Sequence, residues 1–140
     1  MVEFLHRVKV FVFTLGDTQP SYLLVKSAQG LEGCWGPLQG NLGHGEQLEA
    51  AIRREVIDDL GLSRTHQVID LCMPQRWAIG DEEVIEWLYG FQAEAVADPP
   101  RLARRFSEFR WAGFGAAYPT LELETDRAAI LRLHTLLRAA

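Results

Sequence analysis

Asp58 and Asp59 follow Glu55 by three and four residues, inside a stretch that reads as one helix from about Gln47 to Leu60, closed by Gly61. Leu48, Ile52, Val56 and Leu60 form the apolar stripe of that helix. At about 100° per residue the three carboxylates flank and overlap the stripe instead of opposing it, so all three project toward one patch. Carboxylates crowded at a half-buried helix edge repel one another and lose hydration. A divalent cation offsets both effects, because hard cations favour clustered oxygen ligands. A solvated acidic face, partly neutralised by Arg53 or Arg54, is the plainer alternative. The segment before the helix favours the cation. Half of the twelve glycines lie between Gly30 and Gly45, around Cys34-Trp35. A glycine-rich connection of this length lets backbone approach an anion closely, and a phosphate beside carboxylates requires a bridging metal.

Read as a pattern, Gly40, five residues, Glu46, seven residues, Arg54-Glu55-Val56, one residue, Asp58-Asp59, one residue and Gly61-Leu62 resembles the Nudix box over residues 40–62. Every spacing holds, with Asp where the box has Glu at its last two acids. Trp35 and Ala50-Ala51 suit the flanks, and Ser107-Glu108-Phe109-Arg110-Trp111 is similar to the late Glu-x-x-Trp segment of many members. The resemblance implies a pyrophosphohydrolase working with Mg²⁺ or Mn²⁺. On this sequence it makes Glu55 and Asp59 the principal metal ligands and Asp58 a further or water-mediated one. Glu46 would support the cation or its waters, and Gly40 would turn the loop and offer a carbonyl. Arg54 would hold a carboxylate in position. Glu55 and Glu108 are both candidates for the base that takes a proton from the attacking water. The implied substrate is a nucleoside triphosphate-like molecule, a dNTP or dihydroneopterin triphosphate. A dinucleoside polyphosphate hydrolase and a non-catalytic nucleotide-sensing module are the alternatives.

Four departures from the box pattern bear on that reading. Asp58 and Asp59 are one methylene shorter than Glu. Trp35 to Asn41 lacks the Pro-Gly-Gly turn, Gly43 stands where an acid is usual, and His44 precedes Gly45-Glu46. His44 is the histidine to watch for substrate contact. Lys26 and Arg7, at strand ends, are plausible phosphate contacts, although exposed strand-end cations are ordinary. Arg101, Arg104 and Arg105 form a basic cluster just upstream of Glu108 that could steer a polyphosphate. Trp77, Trp87 and Tyr89 fit core or dimer packing better than ring stacking. His134 reads as a satisfied core histidine.

The elements that must position these groups follow from periodicity. Val8–Leu15 is apolar on both faces and reads as a central strand. Residues 16–20 read as a turn, and Tyr22–Val25, Val68–Cys72, Val84–Ala95 and Phe109–Ala112 as strands. Thr125 or Asp126 should cap a last helix whose stripe is Ile130, Leu133, His134 and Leu137. These elements suggest a single α/β domain over residues 1–140, a sandwich around a mixed β-sheet, and the resemblance implies the Nudix α/β/α form of it.

Composition sets the limits. The 140 residues are 48% apolar and 24% charged, with a formal charge of −5. That balance suits one globular domain and argues against polymeric nucleic acid or an anionic membrane as partner. No apolar run reaches membrane-helix length and no signal peptide is apparent, so a cytoplasmic location is expected. Two distant cysteines, Cys34 and Cys72, are expected to be reduced core thiols. A homodimer is compatible with all of this.

Overall fold

The structure, a computed structural model, describes residues 3–15, 19–27, 34–43, 45–54, 65–93 and 106–139. These hold eight strands and three helices. The strands are β1 (Glu3–Leu15), β2 (Pro20–Ser27), β3 (Trp35–Gly36), β4 (Leu38–Asn41), β5 (Thr65–Asp70), β6 (Gln75–Ile79), β7 (Glu82–Ala93) and β8 (Phe106–Gly113). The helices are α1 (Leu48–Arg53), α2 (Phe114–Thr120) and α3 (Glu124–Ala139). The basic cluster at 101–105 lies outside the described residues.

All eight strands belong to one mixed sheet. β1 is its axis: it runs parallel to β7 from Glu3 opposite Glu82 to Phe13 opposite Gln92. Its other edge is shared, with β4 antiparallel to residues 7–10 and β2 antiparallel to residues 13–15. Beyond them, β2 carries β3 and β8, while β7 carries β5 and β6. Burial on both faces of β1 follows from its alternation. Val8, Val10 and Val12 join a core with Leu23, Val25, Tyr89 and Phe91, which Ala51 and Ile52 of α1 cover. Phe11 and Phe13 join the opposite core with Tyr22, Leu24 and Leu88, covered by Ala117 of α2 and by Ala129, Ile130 and Leu133 of α3. Helices therefore cover both faces, an α/β/α sandwich. At Gly90 on β7 a methyl group would come within 2.8 Å of Leu133 Cδ1, so the side-chain-free strand position admits α3 this closely.

Several expected boundaries move. The glycine-rich stretch is not all loop, since Trp35–Gly36 and Leu38–Asn41 are strands stitched to β2 and β1. Gly40 accordingly lies within β4 opposite Val8, not in a turn. β5 ends at Asp70 instead of continuing to Cys72. Cys72 is in the left-handed region (φ 53), with its N–H donated to Asp70 Oδ1 at 2.8 Å, a local turn that breaks the strand. Cys72 is thereby exposed and Cys34 half-buried, so neither is the core thiol expected. β6 was not foreseen, although Gly80-Asp81 between Ile79 and Glu82 is a two-residue hairpin signal. Nor was α2. The last helix begins at Glu124, which places Asp126 within its first turn and not at its cap; Asp126 is buried there against Lys9.

Candidate active site

The loop into α1 is held from both ends. Leu42 N–H donates to His6 O of β1 at 2.8 Å, and Glu46 N–H to Gly43 O at 3.0 Å. The Glu46 carboxylate reaches back to accept from Gly43 N–H at 2.8 Å. Its two oxygens also take both arms of the Arg54 guanidinium, Nε at 3.0 Å and Nη2 at 2.9 Å. Arg54 Nη2 donates in addition to Asn41 O, at 2.9 Å. One residue at each end of the loop and one at the end of α1 are thus locked by a fork-shaped ion pair, whose geometry fixes orientation as well as distance. The Arg54 guanidinium and, after it, the Gly43 N–H hold the Glu46 carboxyl below its ordinary range. Arg53, next in sequence, pairs with Glu49 at 3.2 Å. Glu55, Asp58, Asp59 and His44, with the second half of the expected helix, lie outside the described residues.

A second group assembles where β2, β3 and β8 meet. Lys26 is the register partner of both Trp35 and Glu108. Its Nζ is 3.7 Å from Glu108 Oε2 and 5.7 Å from the centre of the Trp35 ring. Arg110, two residues beyond Glu108 and so on the same face, sets its guanidinium 4.9 Å from that ring centre. Trp35, Ser107, Glu108, Phe109 and Arg110 line a cavity of about 400 Å³. The structure therefore joins Lys26 to Glu108 and Glu46 to Arg54.

Arg7 belongs to a third group, on the α3 side of the sheet, that the sequence reading missed. Lys9 Nζ donates to Asp126 Oδ1 at 2.9 Å and lies 3.8 Å from Glu86 Oε1, while Arg7 Nη1 is 3.6 Å from Glu86 Oε2. Lys9, Glu86 and Asp126 are 3%, 5% and 1% exposed. Burial raises the Asp126 carboxyl above its ordinary value, against the pull of Lys9. The available signal was a lysine and a glutamate set into strands otherwise buried on both faces. Arg7 also stacks on Trp77 (5.5 Å), and its Nε makes a long 3.5 Å contact with Asn41 Oδ1. Asn41 thus touches both Arg7 and Arg54.

His134 is satisfied within the fold. Burial raises the Tyr22 phenol pKa, and its oxygen is hydrogen-bonded to His134 Nδ1 at 2.7 Å. The His134 ring is also stacked 4.2 Å from Phe114. Trp87 packs against the first core and donates Nε1–H to His6 Nδ1 at 3.2 Å.

Among the described residues no three His, Cys, Asp or Glu side chains converge on one point. The donors that β4, the loop and β8 do present, Glu46, Glu108 and backbone carbonyls, are hard oxygens, the chemistry that suits Mg²⁺ or Mn²⁺. A mixed sheet between helices, with an Arg-clasped acidic loop leading into one of them, defines the class of protein. The NUDIX domain family model matches residues 5–133, and the chain belongs to that family. Membership places it among the hydrolases acting on pyrophosphate bonds.

Solved structures agree on the fold. A NUDIX hydrolase structure from Listeria monocytogenes is similar at a TM-score of 0.81 and 18% identity, covering 96% of this chain and 94% of its own. The E. coli dihydroneopterin triphosphate pyrophosphohydrolase gives 0.78 at 16% identity, covering 93% and 94%. A C. elegans Ap4A hydrolase binary complex gives 0.76 at 14%, covering 97% and 99%. Among curated protein sequences none matches significantly.

Proposed function

We propose that this chain is a Mg²⁺- or Mn²⁺-dependent pyrophosphohydrolase that cleaves a nucleoside triphosphate-like substrate, a dNTP or dihydroneopterin triphosphate, by attack of water. The observation that carries the reading is the fork between Glu46 and Arg54. It ties Glu46 of the box loop to Arg54 at the end of α1, the residue that directly precedes Glu55 in sequence. Glu55, Asp58 and Asp59, with the Gly40 carbonyl and support from Glu46, would hold the cation. A cation held there would supply charge neutralisation at the phosphate oxygens and a water of lowered pKa.

The chain's own residues do the rest. Arg54 keeps Glu46 ionised and oriented. Glu55 or Glu108 takes the proton of the attacking water. Lys26, beside Glu108, places a cation where the polyphosphate approaches, and Arg7 and His44 add contacts to it. The partner is a small nucleotide-like polyphosphate, not a nucleic-acid polymer, and the working location is the cytoplasm.

A panel of nucleoside and pterin triphosphates assayed with Mg²⁺ or Mn²⁺ tests this directly. The expected result is release of a monophosphate and pyrophosphate, abolished by chelation and reduced about 10²- to 10⁴-fold in Glu55→Gln. No turnover with any member, or unchanged turnover in Glu55→Gln, would show the reading to be wrong.

A further inference from the structure

The cations met so far around the box and the cavity already have carboxylate partners. Arg7 lies 3.6 Å from Glu86 Oε2, Lys26 3.7 Å from Glu108 Oε2 and Arg54 2.9 Å from Glu46 Oε1. Arg110 is different. Among the described residues no carboxylate pairs with its guanidinium, which lies instead against the Trp35 ring, 4.9 Å from the ring centre.

The strands put this stack in place. Lys26 of β2 has Trp35 of β3 on one side and Glu108 of β8 on the other. Arg110 is opposite Leu24, so it follows Glu108 along the same face of β8. Trp35 and Arg110 thus stand on opposite sides of β2, and the guanidinium spans that strand to reach the indole. Glu108 and Arg110 are exposed, Trp35 is half-buried, and all three line the cavity of about 400 Å³. A ligand in that cavity meets them directly.

The chemistry of the cavity favours an anion. Lys26 and Glu108 cancel, which leaves the Arg110 charge uncompensated. A guanidinium is weakly hydrated on its flat faces and carries its N–H donors around its edge. Stacking on an indole covers one face, restrains the long side chain and leaves edge donors for whatever enters. The fork so presented matches two oxygens of a phosphate group. Were Arg110 only a cover over Trp35, its charge would be dispensable.

We propose that the Arg110–Trp35 stack is a phosphate receptor that works without a bridging metal: the Arg110 fork takes two oxygens of one phosphate group of the substrate, with the Lys26–Glu108 pair at its side. The inference rests on the pyrophosphohydrolase reading for its place in turnover, but the contact itself is measured without turnover.

The probe is inorganic pyrophosphate in EDTA, titrated calorimetrically into the full chain, Arg110→Gln and Arg110→Lys. The unaltered chain should bind it, and Arg110→Gln should weaken binding about 10-fold or more. Arg110→Lys should recover only part, because an ammonium neither forks nor stacks flat. With a triphosphate and Mg²⁺, the loss in Arg110→Gln should fall on KM, with kcat within about threefold of the unaltered chain. Adenosine, a ring without phosphate, should not compete with pyrophosphate. No pyrophosphate binding by the unaltered chain, affinity unchanged in Arg110→Gln, full affinity in Arg110→Lys, a loss confined to kcat, or competition by adenosine overturns the proposal. Should Arg110→Gln fail to fold, Arg110→Lys must itself weaken pyrophosphate by about threefold or more. Arg110-dependent pyrophosphate binding with no turnover of any triphosphate removes only the hydrolase reading. Turnover with a KM indifferent to Arg110 removes only this one.

Discussion

Two acid–base pairs lie at opposite faces of one sheet and are built in opposite ways. At α1, Glu46 and Arg54 meet through a fork, with side chains 21% and 41% exposed. Beneath α3, Lys9 and Asp126 meet through a single 2.9 Å bond, with side chains 4% and 2% exposed. Water shares the work of the first pair, so its value is geometric: it decides where a loop and a helix end point. The second pair has given up its hydration, and each member depends on the other. The lesson is that a similar contact distance means orientation in one place and mutual dependence in the other.

The largest difference should appear on removing one cation from each pair. Lys9→Met leaves Asp126 and Glu86 buried without it and should cost about 3–5 kcal/mol in urea unfolding. Arg54→Ala should cost about 1 kcal/mol or less in the same measurement, because its partner can turn to solvent. Equal losses would erase the contrast.

Activity should reverse the order of importance for Arg54. With the fork gone, Arg54→Ala should lose about 10- to 100-fold in turnover with Mg²⁺. Arg54→Lys, which keeps charge but not the fork, should recover only part of it. Full recovery by lysine would make charge, not geometry, the contribution.

Acidification should move the two carboxylates in opposite senses. Glu46 is held below its ordinary value of 4.5 by Arg54, so its stabilising contribution is present above that value and is lost as pH falls through the depressed one. Asp126 is raised above 3.8 by burial, so the folded chain binds that proton more tightly. Its contribution therefore declines as pH rises from 3.8 through the raised value. Carboxyl titration by NMR should place the two midpoints on opposite sides of their ordinary values. His134 adds a smaller effect. Burial lowers its pKa below 6.5, so stability should be full above that pH and decline as pH falls from it toward the lowered value, and His134→Asn should flatten this part of the profile.

The smallest effect concerns the two thiols. Exposed Cys72 should react with a thiol reagent before Cys34, whose ionisation burial and the neighbouring Glu122 disfavour. The order of mass additions checks it.

The same contrast explains what the sequence could reveal. The fork at α1 joins residues eight apart, inside a motif whose spacing is a property of one helix and one loop, so the chain displays it directly. The two-sided burial of β1, the sandwich and the stripe of α3 were legible for a similar reason, since apolar periodicity is local. Lys9 and Asp126 are 117 residues apart and meet only because β1 and α3 are packed together. On paper each looks like an ordinary charge, one in a strand and one near a helix start. Asp126 even fits the statistics of a cap, and only packing turns it inward. β3 and β4 were hidden because glycine and proline mark turns in isolation, while here the strand edges of β1 and β2 supply the pairing.

The central claim is that the Glu46–Arg54 fork gives the box its working geometry, and that Glu55, the residue after Arg54, is needed for hydrolysis. Initial rates of triphosphate hydrolysis with Mg²⁺ for the unaltered chain, Arg54→Lys and Glu55→Gln test it most directly. The expected result is a loss of about 10²-fold or more in Glu55→Gln, with Arg54→Lys keeping only part of the activity. Unchanged turnover in Glu55→Gln, or full activity in Arg54→Lys, would contradict it.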